Sequence, residues 1–111
     1  MQEDKYQYNG YSPEYHEDAP TLEQLKEIPN YVILEFGAPW CGHCQAAEPV
    51  VEQSLAALNL PHIKVFDGKG KRLGRIFKVK LWPTLILLKD GEEIKRIVRP
   101  VSADEMAHFF I

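Results

Sequence analysis

The stretch from Val32 to Leu58 constrains this chain more than any other feature. It opens with Val32-Ile33-Leu34-Glu35-Phe36, apolar on both of its alternating faces, which predicts a central strand covered on both sides. It closes with Gln45 to Leu58, where Ala46, Ala47, Val50, Val51, Leu55 and Leu58 recur at helical spacing. Pro49 lies inside that helix and predicts a kink. Between strand and helix stand Cys41 and Cys44, the only two cysteines of the chain. Free backbone N–H groups and the positive end of the macrodipole stabilise a thiolate at a helix start, so the Cys41 pKa is expected to fall below the free value of about 8.5. A strand, two cysteines three residues apart and a helix therefore make one sulfur nucleophilic and keep a second within reach. That is the chemistry of thiol–disulfide exchange.

The cysteine count bears on the same point. A single close pair closes a very small loop and adds little chain-entropy stabilisation, so the pair reads as reactive rather than structural. At 111 residues there is room for one domain, and 45% apolar with 26% charged residues is ordinary for a soluble globular chain. A formal net charge of −3 without a separate basic block argues against nucleic-acid binding. No apolar run approaches the roughly 20 residues that span a bilayer, so no membrane partner is expected. Met1-Gln2-Glu3-Asp4-Lys5 lacks the basic start and apolar core of a secretory signal, which makes the cytosol the expected compartment.

Residues 1–20 are polar and tyrosine-rich (Tyr6, Tyr8, Tyr11, Tyr15), broken by Gly10, Pro13 and Pro20, and read as an extended arm whose rings pack on the domain. The domain proper is expected over 21–111. Thr21-Leu22-Glu23-Gln24 has the form of a capping box and opens a short helix over 21–28. Ile63 to Phe66 reads as a second strand, Asp67 to Arg72 as a loop, and 72–78 as another short helix. Thr84 to Leu88 is a third strand. Asp90-Gly91 signals a two-residue hairpin leading into an edge strand, Glu92 to Val98. Ser102-Ala103-Asp104-Glu105 opens a last helix, with Met106, Phe109 and Phe110 facing inward. Crossover helices between early strands and a hairpin at the end imply an α/β fold, a mixed sheet with helices on both faces.

Glu35-Phe36-Gly37-Ala38-Pro39-Trp40-Cys41-Gly42-His43-Cys44, with Trp82-Pro83-Thr84 and Lys89-Asp90-Gly91 downstream, resembles the thioredoxin superfamily across about 21–111. Cys-Gly-His-Cys is the quartet usual in protein disulfide isomerase domains. The resemblance implies that Cys41 attacks a substrate disulfide and Cys44 resolves the mixed disulfide. Gly42 and His43, the pair between the sulfurs, would tune the site; a histidine there favours the thiolate and makes the disulfide more oxidising. Glu35, six residues before Cys41, falls where the family keeps a buried acid that takes and returns the resolving thiol's proton. Burial is expected to raise its pKa. Lys64, on the neighbouring strand, is the partner expected for it. Pro83 matches the family's cis-proline beside the dithiol, and Trp82 before it would offer its backbone to a substrate peptide. Trp40 and Trp82 would form an apolar lip.

Three features depart from the pattern. Arg99-Pro100 stands where a glycine is common, and neither Arg96 nor Arg99 falls cleanly on the mobile arginine of isomerase domains. A first strand is not visible in the arm. The function expected is a thiol–disulfide oxidoreductase acting on protein disulfides, a reductase in the cytosol, recharged by a thioredoxin reductase or by glutathione. It needs no cofactor beyond the Cys41–Cys44 disulfide, and a monomer is expected. A zinc site is not expected, since His43 is too close to both sulfurs and His16, His62 and His108 show no ligand spacing. The competing reading is an adaptor or chaperone-like module whose groove binds while the cysteines matter little. A metal or cluster shared between two chains is a third.

Overall fold

The computed structural model describes residues 11–68 and 72–109. Five strands form one sheet: β1 (Tyr15–His16), β2 (Tyr31–Gly37), β3 (His62–Phe66), β4 (Thr84–Lys89) and β5 (Glu92–Val98). Their order is β1-β3-β2-β4-β5. The β1–β3 and β3–β2 pairs are parallel, and the β2–β4 and β4–β5 pairs antiparallel. Four helices accompany them: α1 (Leu22–Lys26), α2 (Gly42–Ala56), α3 (Arg72–Ile76) and α4 (Ala103–Phe109). This is the mixed sheet flanked by helices that the sequence predicts. Among the described residues no helix is long and apolar enough to cross a membrane.

Strand β2 needs apolar side chains on both faces because each face has its own helices. Val32, Leu34 and Phe36 pack with Leu25, Ile28, Ile63, Val65, Leu73, Phe77, Ile86 and Leu88, the core under α1 and α3. Ile33, one residue out of phase, packs with Ala47, Val51, Leu55, Leu85, Leu87, Met106 and Phe109, the core under α2 and α4. Residue 35 shares the phase of Ile33, so Glu35 points to the α2 side of the sheet.

Helix starts follow their caps. Thr21 Oγ1 accepts from Gln24 N–H while the Gln24 side chain accepts from Thr21 N–H, a complete capping box at α1. At α4, Ser102 Oγ accepts from Glu105 N–H, but the Glu105 carboxylate accepts from Val101 N–H. The hairpin also forms as predicted: Asp90 (φ 53°) and Gly91 (φ 85°) both lie in the left-handed region that a tight primed turn demands. Gly91 is further required by space, since a Cβ there would collide with Lys26 Cγ.

The differences lie at element ends and in the arm. Helix α1 stops at Lys26 and α3 at Ile76, each short of the predicted end by two residues. Helix α2 begins at Gly42, so the residues between the cysteines are already helical. The arm contributes β1, with Tyr15 opposite Lys64 and His16 opposite Val65. Two residues carry no periodicity, and Pro13 precedes them; the open edge of β3, not local propensity, makes them a strand. Tyr6, Tyr8 and Phe110 lie outside the described residues.

Candidate dithiol site

Cys41 is the N-cap of α2 (φ −82°, ψ 122°), and its sulfur accepts a hydrogen bond from the Cys44 N–H at 3.3 Å. A thiolate at this place is stabilised by one of the helix's otherwise unpaired donors. Cys41 is half-buried and Cys44 buried. Burial pushes the Cys44 thiol up to about 11, helped by its hydrogen bond with Cys41. The two sulfurs thus differ in access, and burial holds the proton on Cys44. Gly42 and His43, between them, are exposed.

Gly37, at the end of β2, lets the motif approach the sheet. A Cβ on residue 37 would stand 2.7 Å from Cys44 Sγ and 2.9 Å from the Tyr15 hydroxyl. Real Cβ atoms essentially never come so close, so a side chain at 37 would force the sulfur and the hydroxyl to shift.

On the outer side the Trp82–Pro83 peptide is cis. Trp40 is exposed, and its ring meets Trp82 edge-on with centroids 5.5 Å apart and planes at 68°. Trp82 is held at three points. Its Nε1–H donates to Asp67 Oδ2 (3.2 Å), its carbonyl accepts from Arg99 Nε–H (2.8 Å), and its ring leans on Trp40. Arg99 adopts a left-handed backbone (φ 54°), and its N–H donates to the Pro83 carbonyl (2.9 Å). Arg99 therefore clasps both carbonyls of the cis dipeptide, at the position the sequence left unassigned. Arg96 is turned elsewhere, paired with Glu93 (2.6 Å) and donating to the Phe77 carbonyl (2.7 Å).

Inside the sheet Glu35 is 3% exposed, as expected for a strand-borne acid. Its partner is not the one expected. Glu35 Oε1 lies 2.7 Å from His62 Nε2, a residue the sequence reading placed outside the strand. His62 Nδ1 accepts from the Ser12 N–H at 2.9 Å, so that nitrogen carries no proton. The proton of the neutral ring then sits on Nε2 and is donated to the carboxylate. Lys64 is opposite Glu35 in the β2–β3 register, but its ammonium goes outward. It donates to the Pro13 carbonyl (3.2 Å), lies 3.8 Å from Glu48 Oε2, and sits 4.2 Å from the Tyr15 ring centroid. A lysine stem is long enough to leave its register partner, whereas the shorter imidazole reaches the buried carboxylate. Tyr15, His62, Gly37, Asp67 and Arg99 are the site residues that the sequence reading missed. One signal was available: His62 and Lys64 alternate with Ile63 and Val65, which marks a strand with one polar face.

Among the described residues no three His, Cys, Asp or Glu side chains gather as a metal site.

The chain is similar to several known proteins. The chain is 44% identical over 78 residues to a thioredoxin of Chlamydia trachomatis, covering 68% of this chain and 74% of that protein. It is 36% identical over 89 residues to chicken protein disulfide-isomerase A3, covering 78% of this chain but only 18% of that much longer protein. The solved structure of reduced thioredoxin 2 from Pseudomonas aeruginosa superposes with a TM-score of 0.78 at 45% identity, over 86% of this chain and 90% of that one. The family profile described as Thioredoxin matches residues 14–111, and on these grounds the chain belongs to the thioredoxin family, whose members are thiol–disulfide oxidoreductases working through their own cysteine pair.

Proposed function

We propose that this chain reduces disulfides in protein substrates, with Cys41 as the attacking sulfur and Cys44 as the resolving one. The observation that carries the reading is the asymmetry of the pair: Cys41 caps the helix and is accessible, and Cys44 is buried one turn further on. Cys41 thiolate attacks one sulfur of the substrate disulfide, and the other substrate sulfur leaves as a thiolate that takes up a proton. The Cys44 thiol then gives its proton to Glu35 and its sulfur attacks Cys41, releasing the second substrate thiol and leaving the Cys41–Cys44 disulfide. The electrons come from the two thiols, so the dithiol must afterwards be re-reduced by a flavoprotein thioredoxin reductase or by glutathione. In this reading Glu35 is a proton acceptor whose carboxylate is oriented by His62, and Lys64 shapes the surrounding field. Trp40, Trp82 and Pro83 form the wall against which a substrate segment lies, alongside the backbone of Trp82. Gly42 and His43 tune the potential.

The likeness to thioredoxins over most of their length supports a reductase, a monomer and a cytosolic setting. The isomerase-type quartet Cys41-Gly42-His43-Cys44 favours a more oxidising pair, so the direction is set by the potential against that of the compartment. Residues 21–111 carry this chemistry, with the arm before them contributing β1.

The test is the equilibrium potential of the pair, by glutathione titration with alkylation trapping. A value near about −270 mV supports the reductase, and one near about −180 mV an oxidant or isomerase. Absence of reversible two-electron exchange would overturn the reading.

A further inference from the structure

Tyr15, Lys64 and Glu35 stand opposite one another on adjacent strands, one row of side chains running in from the sheet edge on the α2 side. Tyr15 closes that row toward the dithiol. Its hydroxyl and Cys44 Sγ both lie within 3 Å of the point where a Cβ of residue 37 would stand (2.9 and 2.7 Å). The Lys64 ammonium lies 4.2 Å from the centre of its ring, on a cation–π contact that helps hold the ring in place. Beside them is a cavity of about 290 Å³ whose lining includes Tyr15, Cys44, Glu48, Lys64 and Pro13 but not Cys41. The resolving sulfur therefore has a side of its own, away from the tryptophan wall, and the arm furnishes part of it.

We propose that Tyr15 is a positioning residue for the resolving sulfur: its O–H donates a hydrogen bond to the Cys44 thiolate as that thiolate forms, holding it above Gly37. A buried thiolate without a donor is costly, and the donors that face this one are the Ala38 backbone N–H and the Tyr15 hydroxyl. Cys44 N–H is directed to Cys41 Sγ, the Glu35 carboxylate accepts from His62, and Glu48 is an anion that accepts from Tyr11. Among the described residues Lys64 is the cation in the row, and its ammonium donates to the Pro13 carbonyl. Tyr15 is thus the group on this side with a hydroxyl proton to offer. Together with the larger pull of the Ala38 backbone N–H, its hydrogen bond draws the Cys44 thiol back down against the rise that burial causes. Tyr15 itself is raised well above the ordinary phenol value by burial and by the carboxylate and thiols around it, so it keeps its proton while it donates. Proton balance in the resolving step is unchanged: Cys44 gives its proton to Glu35, and Tyr15 neither gains nor loses one.

The inference rests on Cys44 as the resolving thiol, and its test separates the two claims. In a Cys41→Ala background, where Cys44 is the sole thiol, the iodoacetamide alkylation rate is followed from pH 6 to 11 with and without Tyr15→Phe. Losing a hydrogen bond to a charged group is expected to move the profile to higher pH and slow alkylation at pH 8 about tenfold. Superimposable profiles would overturn the proposal. The unsubstituted chain supplies a second readout that does not depend on the variant folding. The Tyr15 ¹³Cζ resonance is expected to shift as Cys44 titrates and again when Cys44 is oxidised, and a resonance indifferent to both would also overturn it. Failure of the chain to exchange disulfides would sink the functional reading alone, because neither measurement uses turnover.

Discussion

Cys41 and Cys44 are neighbours on one face of α2, yet their surroundings share little. Around Cys41 the surface is open and aromatic: Trp40 is 63% exposed and leans on Trp82, whose backbone is clasped by Arg99. Around Cys44 the surroundings are buried and polar, with Glu35, His62 and Lys64 each no more than 3% exposed. In the proposed function the outer side meets the substrate segment and the inner side handles a proton. The inner side breaks the apolar rule of a two-sided sheet, and it is tolerated because its polar groups are paired. Among the described residues no buried side-chain nitrogen or oxygen lacks a hydrogen bond. Stability should therefore depend on the inner side, and substrate handling on the outer.

The largest stability effect is expected from His62→Ala, which strips the buried Glu35 carboxylate of its donor. Chemical denaturation should show a loss of about 3 kcal/mol. His62→Gln, which can still donate to the carboxylate, should restore part of it, and equal losses in both variants would contradict the pairing. Gly37→Ala comes next, because the added Cβ collides with Cys44 Sγ and the Tyr15 hydroxyl. A loss of about 2 kcal/mol is expected from such overpacking, together with slowed resolution of the mixed disulfide. A neutral stability change would mean that the sulfur is free to move away.

The pH dependence sharpens the contrast further. Cys44 is raised to about 11 in the fold against about 8.5 in an unfolded chain. Its neutral form is favoured by folding, so its contribution is complete below about pH 8.5 and is lost as pH rises through about 11. Urea midpoints of the reduced chain should fall over that window, and fall less in Cys44→Ala. The half-buried tyrosines Tyr11 and Tyr15, also raised, add to the loss at the alkaline end. Trp40→Ala should have the smallest effect on stability, under about 0.5 kcal/mol for an exposed ring, while lowering kcat/KM on a disulfide-bonded protein. A stability loss as large as that of His62→Ala would erase the distinction between the two sides.

The outer side was the more legible in the sequence. Trp40, Trp82 and Pro83 sit in contiguous motifs, the hairpin is signalled by Asp90-Gly91, and β2 and α2 announce themselves by periodicity. The inner side is assembled from pieces far apart in the chain. The sequence placed Glu35 and Lys64 on neighbouring strands, and they are register partners. It could not show that the lysine stem would turn to Pro13 while His62, held by Ser12, would take the carboxylate. Tyr15 was harder still, because a two-residue edge strand exists only through the partner it pairs with. Motifs report what is local in sequence, whereas a buried polar row depends on register and on the reach of each side chain.

The most direct test of the account is covalent trapping with a disulfide-bonded peptide, comparing Cys44→Ser with Cys41→Ser by intact mass. The account predicts a long-lived mixed disulfide on Cys41 in Cys44→Ser and essentially none in Cys41→Ser, because the remaining sulfur is buried. Equal adducts in both variants, or faster capture by Cys44, would contradict it.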